Sequence, residues 1–195
     1  MYNVFFIKKT KSMMLKNKWF LLFILLLATI LSPLDFYIVN LALPAIQQSL
    51  QATNSELQMI VSFYTCAYAV FQISGGRLGD IYGRKNVFIL GLFGFVFFSA
   101  LCGCAQSSTM MIVGRIGQGV SGAIMIPQVL AIVQGIFNEK EKRLVMALYS
   151  FTFGIAAALG QYLGALLIEW NLFDLGWRII FLVNLPVGIL ALILA

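Results

Sequence analysis

The chain has 195 residues, 61% of them hydrophobic and only 10% charged, and its mean hydropathy is +0.95. That composition excludes an ordinary soluble globular fold, because runs such as 19–34 and 86–105 leave no polar exterior to present to water. The net charge of +6 does not mark a nucleic-acid surface, since the basic residues sit in short segments between apolar runs.

Histidine is absent, which excludes a His-ligated metal site, and Cys66, Cys102 and Cys104 lie in apolar runs without metal-binding spacing. They read as small hydrophobes. The basic segment 1–18 carries Lys8, Lys9, Lys11, Lys16 and Lys18 ahead of an apolar stretch too long for a signal peptide, which predicts an uncleaved first helix.

Apolar runs long enough to cross about 30 Å of hydrocarbon occur at 19–42, 57–76, 86–105, 109–136, 144–168 and 178–195. The expectation is therefore an all-α membrane domain of six helices over residues 19–195. Eleven of the thirteen basic residues fall in the N-terminus and in the segments 77–85 and 138–143, while the intervening connections at 47–56, 106–108 and 169–177 contain no Lys or Arg. The positive-inside rule then places the N-terminus in the cytoplasm. The last span is short and no polar tail follows it, so a cut chain, or a half that needs a partner, is expected.

Two ions lie inside the spans. Asp35 stands about sixteen residues, roughly 24 Å, above the start of the first span, and Arg115 about six residues, roughly 9 Å, into the fourth from the outer side. The two depths agree, so the residues can pair. An ion within lipid costs ~2.5–3.5 kcal/mol on insertion scales, which makes an intramembrane carboxylate a candidate relay. Low dielectric disfavours the carboxylate's charge and a guanidinium favours it, so a step that separates the pair would invite protonation.

Glycine supplies further patterns. Ala156, Gly160 and Gly164 form a small-residue face on the fifth span that lets another helix approach closely. Gly114, Gly117, Gly119 and Gly122 thin the fourth span beside Arg115, with Pro127 interrupting it further in, a pattern that suits a walled cavity. The segment GGRLGDIYGRKN, 75–86, reads as a cytoplasmic loop in which Gly76, Gly79 and Gly83 permit a tight turn and close helix approach. Asp80, Arg84 and Lys85 put both signs of charge at the membrane surface there.

Over nearly the whole chain these segments resemble the major facilitator superfamily, and within it the fourteen-helix drug:proton antiporters of the EmrB/QacA type. Gly76 to Lys85 resembles the helix 2 to 3 signature, with Ile81 where a basic residue is usual. Leu34 to Pro44 resembles the antiporter helix 1 signature, with Tyr37 where Thr is usual. Arg115-Ile116-Gly117-Gln118-Gly119 matches the helix 4 element, and Trp177 to Phe181 with Asn184, Pro186 and Gly188 resembles the helix 6 pattern. The fifth span reads Gly160-Gln161-Tyr162-Leu163-Gly164-Ala165, without the proline usual in antiporters.

The resemblance implies the N-terminal half of a major facilitator fold, a six-helix bundle built from two inverted three-helix repeats, with the C-terminal half or a second chain as partner. It implies Asp35 and Arg115 as a proton-coupling pair facing a substrate cavity, with Asn40, Gln118 and Gly119 in its surroundings. The segment with Gly76, Asp80, Gly83, Arg84 and Lys85 would be a conformational-switch loop, Asp80 meeting the second half and Arg84 pairing with Glu139 or Glu141. The expected function is proton-coupled export of amphipathic drugs or toxic compounds by alternating access. It is not an enzyme's, uses no cofactor beyond the proton gradient, and operates in a bacterial inner (plasma) membrane with small molecules, protons and lipid as partners and no nucleic acid. Two alternatives stand beside it: uptake or exchange of a dedicated metabolite, favoured by the missing proline, and a half or subunit that transports nothing alone.

Overall fold

Six helices long and apolar enough to cross a membrane make up the structure, a computed structural model that describes residues 2–171 and 174–195, with side chains from Lys18 onward. They are α1 (Tyr2–Leu50), α2 (Asn54–Tyr82), α3 (Arg84–Gly103), α4 (Ser108–Ile136), α5 (Glu139–Trp170) and a sixth span formed by a 3-10 turn (Gly176–Arg178), α6 (Ile179–Leu182) and α7 (Asn184–Leu194). The side chains of Lys8, Lys9, Lys11 and Lys16 lie outside the described residues, as do residues 172 and 173 of the outer connection.

The helix starts are built by local hydrogen bonding. The Thr53 hydroxyl accepts from the Glu56 amide at 3.3 Å, and the Glu56 carboxylate accepts from the Thr53 amide at 2.8 Å. Asn138 and Glu141 repeat the arrangement at the start of α5, at 3.0 and 3.3 Å. Such caps contribute about 1 kcal/mol each and fix where the helices begin.

Proline marks the interiors differently in different spans. Pro33 and Pro44 lie within α1 and Pro127 within α4, and both helices run on through them. The expected interruption at Pro127 is thus absent; its missing N–H frees the Ala123 carbonyl, which faces Gly75 of α2 across a close contact. Pro186 acts more strongly. It removes the donor that would reach the Leu182 carbonyl, and the sixth span breaks at Val183 between α6 and α7.

The expected loop at 75–86 is also corrected. Residues up to Tyr82 belong to α2 and Arg84 already opens α3, so the whole turn is the single residue Gly83, at φ +90°, which only glycine adopts without strain. Gly79 and its neighbour Gly75 are buried contacts against α4, and Gly76 meets nothing closer than the Pro127 side chain at 3.9 Å.

The packing has an internal symmetry consistent with inverted repeats. α2 packs along α4 through Gly75 and Gly79, and α5 packs along α1 through Gly160 and Gly164, so each repeat lends its second helix to the first helix of the other. α3 and the sixth span close the bundle. Two apolar clusters fill it, one around Leu25, Ala28, Leu92, Phe95 and Met125, the other around Ile38, Ala42, Ile60, Met111 and Phe181. Along α1, α3 and α4 a layer of buried polar residues separates them: Asp35, Ser99, Arg115 and Gln118.

Candidate functional site

Each first helix of the two repeats contributes one ion to that layer. Asp35 on α1 and Arg115 on α4 are both fully buried and joined through Arg115 Nη1 and Asp35 Oδ2. The surrounding groups complete both ions. Gln118 Nε2 donates to Asp35 Oδ1 at 3.1 Å and to Ser99 Oγ at 2.7 Å, while Gln118 Oε1 accepts from Arg115 Nη1 at 2.9 Å. Asn184, the first residue of α7, donates to Asp35 Oδ1 at 3.0 Å and to Ser99 Oγ at 3.2 Å. Its own carbonyl is, among the described residues, the one buried side-chain polar atom without a partner.

On its far side Arg115 belongs to α2. Its Nε donates to the Ile60 carbonyl at 3.3 Å, and its guanidinium lies 4.0 Å from the centre of the Tyr64 ring. The Tyr64 hydroxyl shares a 2.8 Å hydrogen bond with the Ser32 hydroxyl and donates to the Ser32 carbonyl at 3.0 Å. Arg115 is therefore held between a carboxylate on one helix and an aromatic face on another, an arrangement that keeps a guanidinium charged in a desolvated place.

The expectation that the pair faces a cavity is corrected by Tyr64. A cavity of about 180 Å³ between α1, α2 and α5 is lined by Ser32, Pro33, Phe36, Tyr37, Tyr64, Thr65, Tyr68 and Phe153. Asp35 and Arg115 lie behind the Tyr64 ring instead of in the wall. Gly119 is not a cavity residue either: it is buried where a Cβ would overlap the Tyr64 carbonyl, so its role is to let α2 and α4 touch. Gly114, Gly117 and Gly122 similarly admit Cys102, Phe98 and the Ser32 and Tyr68 side chains. Gln118 sits in the polar layer. Asn40 does not; it is exposed, donates to the Phe36 carbonyl at 2.9 Å and lines an open groove with Gln58 and Ser62.

At the cytoplasmic end expected from the charge pattern, Arg84 does not reach Glu139 or Glu141. It bonds the Ala131 carbonyl near the end of α4 at 2.7 Å and Asp80, one turn back, at 3.3 Å. Glu139 pairs with Lys142 at 2.7 Å and Glu141 with Lys18 at 2.5 Å, because both acids project from the first turn of α5, towards neighbours nearer than α3. Asp80 and Lys85 are exposed. Ala156, Gly160 and Gly164 are buried, and Gly160 and Gly164 face Leu34, Tyr37, Ile38 and Leu41 of α1, on either side of Asp35 in sequence.

Ser99, Tyr64 and Ser32 escaped the sequence reading, since serine and tyrosine within apolar helices carry no distinguishing spacing. Asn184 had a signal, being a polar residue two positions before a helix-breaking proline within an apolar span.

A family model described as Major Facilitator Superfamily matches residues 25–195. The chain is 39% identical over 177 residues to a probable actinorhodin transporter of Streptomyces coelicolor, covering 91% of this chain and 31% of that protein. It is 36% identical over 160 residues to the tetracenomycin C resistance and export protein of Streptomyces glaucescens, covering 82% of this chain and 29% of the relative. The chain thus spans about a third of the length of these relatives. Among solved structures, a peptide transporter superposes with a TM-score of 0.74 at 15% identity, over 89% of this chain and 36% of the other, a likeness of fold.

Proposed function

The chain belongs to the Major Facilitator Superfamily as an integral, multi-pass membrane protein, and we propose that it is the N-terminal half of a proton-coupled exporter of amphipathic small molecules. The buried Asp35–Arg115 pair carries the reading, supported by relatives that bear the names of transport, resistance and export proteins. No covalent chemistry is involved. In one state the carboxylate is ionised and held by Arg115, Gln118 and Asn184; in the other it takes a proton and releases Arg115, and the difference between the two sets of contacts biases the bundle between its inward-open and outward-open forms.

The second half of the transporter seats against α2 and α5, the least buried of the long spans, whose apolar faces are otherwise left to lipid. The two halves rock about the site, with the N-terminus on the cytoplasmic side of a bacterial inner membrane and the proton gradient as the source of energy. The test is substrate efflux in everted membrane vesicles from cells producing the chain together with any second half. Asp35→Asn is expected to abolish the dependence of efflux on the pH gradient; an Asp35→Asn protein whose efflux still tracks the gradient would overturn the reading.

A further inference from the structure

Between α2 and α3, at the basic end of the bundle, runs a groove of about 450 Å³ lined by Leu78, Tyr82, Asn86, Val87 and Leu90. Leu78 and Tyr82 stand one turn apart on α2, Asn86 and Leu90 one turn apart on α3, and Gly83 alone joins the two helices. We propose that this groove is a site for one anionic phospholipid, with an acyl chain along Leu78, Val87 and Leu90 and the phosphate at the Tyr82 and Asn86 rim beside Lys85. The inference goes beyond the exporter reading and needs only the membrane-spanning fold.

Position in the membrane supplies the occupant. Both helices are spans, and on α3 the groove wall continues as an exposed apolar stripe of Leu90, Phe93 and Phe97. Such a stripe at helical spacing is covered by hydrocarbon or by another helix, never by water. Val87, which is buried, forms the floor, and Ile81 and Tyr82 stand exposed on the α2 side. Moving an acyl chain from the bilayer into the groove gains little, because lipid tails are as apolar as the side chains. The choice among lipids therefore falls to the headgroup.

There the charges favour an anion. Three acids stand at this end, and each is already paired: Asp80 with Arg84, Glu139 with Lys142 and Glu141 with Lys18. Arg77 and Lys85 have no carboxylate partner among the described residues, and both are exposed. Each is the sequence neighbour of a lining residue, Arg77 of Leu78 and Lys85 of Asn86. The rim adds hydrogen-bonding groups. Asn86 spends one N–H on the Tyr82 carbonyl at 3.2 Å, which leaves its other N–H and the Tyr82 hydroxyl for phosphate oxygens. Basic pockets between spans at a membrane surface select anionic headgroups in this way.

The experiment purifies the full chain in mild detergent and counts the lipid bound from an equimolar mixture of phosphatidylglycerol and phosphatidylcholine, by native mass spectrometry. The unaltered chain is expected to retain one phosphatidylglycerol in preference. Lys85→Ala is expected to weaken that preference about fivefold, the worth of one basic residue at a membrane surface. Leu90→Trp fills the groove and is expected to remove the bound lipid although no charge changes. Leu78→Trp fills it from α2 and keeps the test intact if the first variant folds poorly. Lys140→Ala, on α5, which packs along α1, is the control and is expected to keep the preference. Equal retention of the two lipids by the unaltered chain overturns the proposal. So does a preference that both tryptophan variants leave intact, or an equal loss in Lys85→Ala and Lys140→Ala, since either reduces the site to the general positive field of the surface. Displacement of the lipid by a co-produced second half overturns it as well, giving the groove to that half. None of these readouts depends on transport, so the exporter reading stands or falls separately, on Asp35→Asn.

Discussion

The carboxamide of Gln128 on α4 lies in the space that a methyl group at Gly79 of α2 would occupy. From there it donates to the Gly75 carbonyl at 2.7 Å and to the Ile124 carbonyl at 3.0 Å, so one side chain crosses between the two helices over a bare backbone. The contact explains two glycines of the 75–86 segment without appeal to a turn.

Gly79→Ala is accordingly expected to drive Gln128 out of its place and leave buried polar groups unpaired, at a cost of ~1–3 kcal/mol. Gly76→Ala, one turn position away, meets only Pro127 at 3.9 Å and gains up to about 1 kcal/mol of helix propensity. Thermal unfolding in detergent reads both. Equal destabilisation by the two substitutions would contradict the packing.

Much of this was legible in the sequence because lipid allows so few solutions. Apolar run length gave the spans to within a few residues, except at the ends of α1, the end of α2 and the start of α5, which continue beyond the apolar runs, and where Pro186 divides the sixth. Asp35 and Arg115 stood out as ions in oil. The mistakes share a cause: a polar or glycine-rich stretch such as 75–86 reads as a loop, yet glycine in a helix also serves close packing, and only the partner helix decides which. The motif puts Gly119 in a cavity, whereas helical rotation turns it onto Tyr64; Asn40, which the same resemblance puts there, lies apart from the ion pair and lines an open groove with Gln58 and Ser62.

The junction of α1 with α5 tests a surface term against a cap. Lys18 Nζ is 2.5 Å from Glu141 Oε1, and Glu141 also closes the capping box with Asn138. Glu141→Gln loses the ion pair alone and is expected to destabilise slightly, less in high salt, while Lys18→Ala also gives up the contact of the ammonium with the Phe137 ring. Glu141→Ala loses the cap as well and is expected to destabilise further. Unfolding midpoints measured at low and high salt check the order; a Glu141→Ala no worse than Glu141→Gln would remove the cap from the account.

Gly160 and Gly164 separate rigid from yielding contacts on one helix face. A methyl group at Gly160 would lie 2.9 Å from Tyr37 Cβ and 3.2 Å from the Leu34 carbonyl, atoms that move only if α1 moves. At Gly164 the near atoms are Ile38 Cγ1 at 2.9 Å and Leu41 Cδ1 at 3.1 Å, which rotate away more cheaply. Gly160→Ala is therefore expected to cost ~1–3 kcal/mol as an overpacked contact, and Gly164→Ala less. Because the Gly160 contact flanks Asp35, efflux is expected to suffer more in that variant too, and a reversed order in either measurement would refute it.

The ion pair itself predicts a coupling between two substitutions. Arg115→Met removes the guanidinium and strands Asp35 among Gln118 and Asn184, and losing one partner of a buried pair costs ~3–5 kcal/mol. Asp35→Asn strands the guanidinium instead, and what softens that loss is the Tyr64 ring, the Ile60 carbonyl and Gln118, which remain on Arg115. Arg115→Met is therefore expected to cost more than Asp35→Asn in thermal unfolding. The double variant should be less destabilised than the sum of the two singles, since neither charge is then left alone. Additive penalties would mean that the two residues are not coupled as a pair.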